Sequence, residues 1–219
     1  MTTVGKKYYS LLTEERKAEL IIYGDITSWP WLESDVSSFI LSKQLAGLDV
    51  DEIDVHINSY GGEVAEGLAI FNALKNCKAK VNTFCDGFAC SIASVIFMAG
   101  EERVMSEASL LMIHNAWTYA SGNASELRKS ADDLDKITQA SINAYMSVVN
   151  IDENDLKRKM DEETWITPSE ALEWGFATSS HNESYAGVSQ NVRRNVMQKI
   201  SEKKIEATKK NYLIDFLCK

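Results

Sequence analysis

The chain has 219 residues, 45% of them hydrophobic, and a formal net charge of −9. That is enough for one sizeable core or one core plus an appendage, and the acidic balance excludes a general nucleic-acid binder. No apolar run reaches membrane-spanning length, and the start Met1-Thr-Thr-Val-Gly-Lys-Lys7 has no apolar signal core behind it. The charge is uneven. Residues 181–219 hold eight Lys/Arg against four Asp/Glu, a local +4, which leaves −13 on the first 180. The pattern divides the chain into an N-terminal segment (1–19), a globular body (20–180) and a charged tail (181–219). Cys77, Cys85, Cys90 and Cys218 lack metal-ligand spacing and read as reduced thiols, three of them in buried segments of a cytosolic protein.

In chain order, residues 1–19 are polar, and Leu11 to Leu20 suit a short helical turn. Residues 20–26 read as a first strand ending at Gly24. Trp29-Pro-Trp31 is a turn whose two rings are expected to seal the core, with a partner surface as the other reading. Ser34 is a candidate N-cap, and the helix after it places Val36, Phe39, Ile40 and Leu45 on one side. Glu52-Ile-Asp-Val-His-Ile-Asn58 alternates as a strand with Ile53, Val55 and Ile57 inward, and His56 falls on the opposite phase. Ser59-Tyr-Gly-Gly62 is a tight turn before a helix over 63–74. A glycine pair there either frees backbone N–H groups to face a ligand or simply makes the turn.

The pattern then repeats. Lys80-Val-Asn-Thr-Phe-Cys85 alternates as a half-buried strand, Gly87 suits a turn, and the small and apolar residues to Gly100 suit a buried helix. Ser91 sits where that helix starts. Its hydroxyl would stand beside unpaired backbone N–H groups that favour developing negative charge, a placement for a nucleophile. The bland reading of such a serine is a cap or a packing residue. Two successive strand–helix units imply a βαβ arrangement with its functional edge at the strand C-termini. Strands follow over 103–105 and 108–114, with His114 at the end of the second. A loop carries Trp117 and Tyr119. A helix over 124–150 has an apolar stripe of Leu127, Leu134, Ile137, Ile142, Tyr145 and Val149, and is long enough to project and pair with another subunit. A charged helix over 152–160 leads to Thr167-Pro-Ser-Glu170, a capping box with Pro168 in the first turn, and Gly175 stops that helix. The tail reads as helix-prone and basic, with a short amphipathic segment over 212–217.

Four ordered blocks carry a family likeness. Ile57-Asn-Ser-Tyr-Gly-Gly-Glu-Val64, Gly87-Phe-Ala-Cys-Ser-Ile-Ala-Ser94, Met112-Ile-His114 and Thr167-Pro-Ser-Glu-Ala-Leu-Glu-Trp-Gly175 resemble the Clp protease proteolytic subunit (ClpP) family over about residues 22–177. The family's usual Ser-Pro-Gly-Gly turn is here Ser59-Tyr-Gly-Gly62. Ile22-Tyr-Gly-Asp25, the tryptophan turn, Ile113-His-Asn-Ala-Trp117, Gly122-Asn123 and Glu163-Thr-Trp165 resemble the phage-type branch used as head-maturation proteases. The resemblance implies an α/β, ClpP/crotonase-like fold of repeated ββα (βαβ) units with a projecting long helix. It implies Ser91 as nucleophile, His114 as general base, and the Gly62 and Ile92 N–H groups as the oxyanion hole. The family's aspartate aligns with Glu163, with Asp161 as its rival. No metal or organic cofactor is implied. The implied activity is an ATP-independent serine endopeptidase cleaving capsid or scaffold protein. The implied assembly is a homo-oligomeric ring, heptameric or stacked in pairs, in the host cytoplasm, without nucleic acid or membrane. The alternatives are a degradative peptidase fed by an ATP-driven unfoldase and a catalytically silent ring or scaffold component. An acyl-CoA enzyme of the crotonase kind is a further rival, but it has no need of Ser91 and His114 together.

Overall fold

A computed structural model describes residues 11–14, 16–32 and 35–181 of the chain. The basic tail and its amphipathic end, the expected cap Ser34 and Cys218 lie outside the described residues.

The N-terminal strands are β1 (Leu11–Glu14) and β2 (Lys17–Ile22), an antiparallel hairpin with Leu11 opposite Leu20 and Glu14 opposite Lys17. The helical turn expected there is therefore a strand pair. Leu, Glu and Lys favour a helix locally, but β2 also lies parallel along β3 (Glu52–Ser59), and sheet pairing overrides weak propensity. Arg16 makes the turn at φ 69° and its guanidinium forks onto both Asp51 carboxylate oxygens at 2.6 Å.

Beyond β2, Ile26 forms single parallel bridges with Val36 and Gly62. Ile26 and Val36 fill the core under this turn. Trp29 and Trp31 do not: they are 70% and 84% exposed, which corrects the core-sealing expectation. The Asp35 carboxylate accepts the Trp31 and Leu32 N–H groups at 2.8 Å and holds that backbone on the surface. Helix α1 (Ser38–Leu45) buries Leu41 and Leu45, whereas Phe39 is exposed. Its cap comes from elsewhere in the chain, since Glu66 accepts the Ser38 N–H at 2.7 Å.

The remaining elements are α2 (Val64–Lys75), β4 (Lys80–Cys90), α3 (Ile92–Phe97), β5 (Glu102–Ser106), β6 (Leu110–Ile113), α4 (Ala124–Met146), α5 (Glu153–Asp161), β7 (Thr164–Ile166), α6 (Pro168–Trp174) and β8 (Ser179–His181). The main sheet runs β1-β2-β3-β4-β5-β8, parallel except at the first hairpin. β6 pairs parallel with the end of β4 and antiparallel with β7. The expected mixed α/β architecture of strand–helix units is present.

β4 corrects one local reading. It runs eleven residues, straight through Gly87, rather than turning there. Its first part pairs with β5 and its last part, Phe88 to Cys90, pairs with β6. Gly87 is needed for close approach: a Cβ there would lie 2.6 Å from Asn58 Oδ1, which accepts the Phe88 N–H where the β3–β4 register shifts.

The core lies where Leu20, Ile22, Ile53, Val55, Ile57 and Val81 of the sheet meet Ile70 and Leu74 of α2 and the fully buried α3. Helix α4 begins with a capping box between Asn123 and Glu126 and is about 35 Å long at 1.5 Å per residue. Only its last turns are buried, through Ser141, Ile142, Ala144 and Tyr145, while Leu127 and Ile137 stay exposed. So the stripe expected along the whole helix packs only at one end, and the helix stops at Met146 rather than 150. The capping box at Thr167–Glu170, Pro168 in the first turn of α6 and the left-handed Gly175 are as the sequence implies.

Candidate active site

The C-terminal ends of parallel strands β3, β4 and β6 converge on one cleft. Each strand delivers one chemical part. β3 ends in the Gly61–Gly62 turn, β4 in Ser91, and β6 in His114.

The glycine pair is required by shape. Gly61 has φ 102°, and a Cβ on it would lie 2.8 Å from both Ser91 Cβ and the Cys90 carbonyl oxygen. Gly62 has φ 148°, and its Cβ would lie 2.0 Å from the Ile26 carbonyl oxygen. The turn is tied down on both sides of Gly62. Ile26 N–H donates to Gly61 O at 2.9 Å, and Glu63 N–H donates to Ile26 O at 2.8 Å. The Gly62 N–H between them has no backbone partner among the described residues.

Ser91 stands at φ 54°, ψ −128°, between the end of β4 and the first residue of α3. A side chain other than glycine rarely holds that conformation, which costs of order 1–3 kcal/mol and persists only where the surroundings enforce it. Here the Ser91 N–H donates to Met112 O at 2.8 Å, and the Ser91 O accepts from Ser94 N–H at 3.0 Å and Ser94 Oγ at 2.5 Å. The Ile92 N–H, like that of Gly62, has no backbone partner among the described residues. A glycine at position 67 lets α2 approach, since a Cβ there would meet Ile92 Cγ1 at 2.1 Å.

His114 Nε2 lies 2.6 Å from Ser91 Oγ, hydrogen-bond distance for a hydroxyl donating to a neutral imidazole. Partial burial lowers the His114 pKa below its ordinary value, and the Glu163 charge opposes that shift. The ring is therefore neutral at pH 7 and able to take a proton. Among the two acids raised by the sequence, Glu163 is the one whose charge acts on His114. The Asp161 carboxylate accepts the Asn115 side-chain N–H at 2.7 Å instead. Glu163 is exposed and sits at φ 50°, just after α5.

Cys90 adjoins Ser91 but is fully buried, and burial pushes its thiol up to about 11. The thiolate that cysteine chemistry needs is therefore suppressed. His56 belongs to a different cluster: its Nδ1 lies 2.9 Å from Asp86 Oδ2 and its ring stacks on Phe84 at 4.8 Å. Sequence reading did not reach the Asn115–Asp161 pair or the hydroxyl chain from Ser94. Both join residues distant in sequence, and no motif carries them.

The cleft has a volume of about 710 Å³. Gly61, Gly62, Ser91, Ile92 and His114 line its floor, with Tyr60 and Trp117 exposed at its walls. No group of three or more potential metal ligands occurs among the described residues. None of their helices is long and apolar enough to cross a membrane.

The model of the Clp protease family matches residues 8–181. The chain belongs to the Clp protease family. The ATP-dependent Clp protease proteolytic subunit of Deinococcus radiodurans is 32% identical over 178 residues, covering 78% of this chain and 84% of that protein. This Clp protease family member is accordingly a serine-type endopeptidase of the ClpP kind, with the α/β fold of that family.

Proposed function

We propose that Ser91 is the nucleophile, His114 the general base, and the Gly62 and Ile92 N–H groups the oxyanion hole, with Glu163 orienting the imidazole. The observation that carries this reading is the 2.6 Å contact between Ser91 Oγ and His114 Nε2, beside two backbone amides with no backbone partner among the described residues. His114 takes the hydroxyl proton as Ser91 Oγ attacks a peptide carbonyl. The negative oxygen of the tetrahedral intermediate moves onto the Gly62 and Ile92 amides, where one donor is typically worth about 3–4 kcal/mol of barrier. His114 then protonates the leaving amine, and a water activated by the same ring releases the acyl group. The lowered His114 pKa supports this cycle, because the ring is unprotonated when attack begins.

The biological setting we propose is ATP-independent cleavage of capsid or scaffold protein during phage head assembly, by a homo-oligomeric ring in the host cytoplasm. The phage-type details around Ile22–Asp25, Trp117 and Glu163–Trp165 support it. The second reading, degradation of proteins delivered by an ATP-driven unfoldase, is favoured by the name of the Deinococcus relative, an ATP-dependent protease subunit.

Labelling with a fluorophosphonate serine-hydrolase probe, read by intact mass, tests the chemistry. A single adduct that disappears in Ser91→Ala and His114→Ala is expected. Labelling that survives Ser91→Ala overturns the assignment. Incubation of the purified protein with a purified capsid precursor separates the two settings: cleavage without any unfoldase or ATP supports head maturation, and its absence under assembly conditions counts against it.

A further inference from the structure

The carbonyl oxygen of Ser91 and the N–H of Ile92 belong to one peptide unit. Whatever fixes that carbonyl therefore fixes the direction of an oxyanion donor. Ser94 holds it twice, through its N–H at 3.0 Å and its hydroxyl at 2.5 Å. The Ser94 hydroxyl is in turn 2.7 Å from the Tyr145 hydroxyl. The Ser91 carbonyl only accepts, so the Ser94 proton points to it and Tyr145 is the donor to Ser94 Oγ. Burial of Tyr145 raises its pKa and keeps it in the protonated, donating form.

We propose that Ser94 and Tyr145 form a hydrogen-bond relay that positions the Ile92 oxyanion donor, coupling helix α4 to the catalytic peptide unit. It rests on the assignment of Ser91 and Ile92 made above. The relay runs Tyr145 O–H to Ser94 Oγ, Ser94 O–H to Ser91 O, and Ile92 N–H to the developing oxyanion. Each bond polarises the next, since accepting at the carbonyl end of an amide strengthens donation at its N–H end. The same bonds hold Ser91 in its positive-φ conformation, which an unsupported serine would leave. Both hydroxyls are buried, with Ser94 fully enclosed in α3 and Tyr145 at the packed end of α4. Neither is offered as a catalytic residue: they act through the Ser91–Ile92 peptide.

The test is the kinetics of fluorophosphonate labelling, which separates binding (KI) from the chemical step (kinact). In that step Ser91 Oγ displaces fluoride from phosphorus, its proton goes to His114, and the phosphoryl oxygen occupies the oxyanion hole. Ser94→Ala should lower kinact about tenfold with KI within about twofold, less than the 10²–10³ typical for losing a whole donor, because Ser94 N–H still holds the carbonyl. Tyr145→Phe keeps the ring and should lower kinact about threefold. The double variant should match Ser94→Ala alone, because Tyr145 acts only through Ser94. Thermal unfolding confirms that each variant is folded. If Ser94→Ala does not fold, Tyr145→Phe alone decides, through its loss in kinact at constant KI.

Unchanged kinact in a folded Ser94→Ala or Tyr145→Phe overturns the relay, as does multiplication of the two effects in the double variant. A fall confined to KI overturns it as well. If Ser91→Ala still labels, or wild type does not label at all, the parent assignment fails and the relay with it. Those outcomes are distinct from a Ser91-dependent enzyme indifferent to position 94.

Discussion

Replacing Gly62 by alanine should abolish most of the activity and lower the stability of the chain. The new Cβ would lie 2.0 Å from the Ile26 carbonyl oxygen and 2.9 Å from Ile26 C and N, all backbone atoms that cannot rotate away. To reach an ordinary contact of 3.4 Å the two segments must separate by about 1.4 Å. That movement breaks the bonds from Ile26 N–H to Gly61 O and from Glu63 N–H to Ile26 O. Two such bonds are worth about 1–3 kcal/mol together, and φ 148° adds strain of about 1–3 kcal/mol for a residue with a Cβ. The sum, roughly 2–6 kcal/mol, is a heavy fraction of the 5–15 kcal/mol that holds a typical domain, so a lower Tm is expected. Catalysis suffers more. A misplacement of about 1 Å costs on the order of 10²-fold, and loss of one oxyanion donor costs on the order of 10²–10³-fold. Gly62→Ala should therefore lower kinact for a fluorophosphonate by at least about 10²-fold with KI little changed. Gly47→Ala is the control, since its Cβ would meet the Gln44 carbonyl at an ordinary 3.6 Å, and its labelling should match wild type. A folded Gly62→Ala variant labelled within about threefold of wild type would refute the assignment of the Gly62 amide.

Activity should rise with pH along an acid limb whose midpoint lies below the ordinary histidine value of about 6.5, because burial penalises the His114 imidazolium. Glu163 opposes that shift, so Glu163→Gln should move the limb to still lower pH while reducing the plateau; a limb moving upward would remove Glu163 from its role. Cys90→Ala should keep its labelling, and native protein at pH 8 should resist alkylation at Cys90, since burial holds that thiol near 11. Quantitative alkylation of Cys90 in folded protein would contradict its burial. Trp31→Ser and Phe39→Ser should change stability by no more than about 0.5 kcal/mol in denaturant unfolding of the isolated chain, because both rings are exposed. A loss of several kcal/mol would return them to the core.

Much of the fold was legible because the informative residues act locally. Ile53, Val55 and Ile57 alternate, and all three are buried in β3. Thr167, Pro168, Glu170 and Gly175 spell both ends of α6 in adjacent residues. The readings that failed depended on distant partners. Leu11 to Leu20 carries helical propensity but pairs as a hairpin against β3, thirty and more residues away. Gly87 looks like a turn until Asn58 is placed against it. The tryptophans at 29 and 31 look like core because they are large, but the buried side chains of this stretch are Ile26 and Val36.

The acidic third member of the proposed catalytic set shows the same limit at finer scale. Asp161 and Glu163 are two residues apart, both carry a carboxyl group, and the sequence alone offers either as the partner of an imidazole. What separates them is backbone geometry. Asp161 is the last residue of α5, and its carboxylate meets Asn115, the neighbour of His114. Glu163 follows the helix end at φ 50°, a conformation that a glutamate rarely holds, and its N–H caps the helix through Met160 O at 3.2 Å. Thr164 is anchored by its hydroxyl to Lys159 O at 2.7 Å, and β7 then pairs antiparallel with β6, placing Thr164 opposite Ile113. This sequence of constraints brings the Glu163 charge to bear on His114, one residue beyond that pair. The Asn115–Asp161 bond fastens the other side of the same junction. On the proposed assignment the two acids divide the work: Asp161 holds the loop after β6 against the end of α5, and Glu163 supplies the charge that an imidazolium formed at His114 would meet.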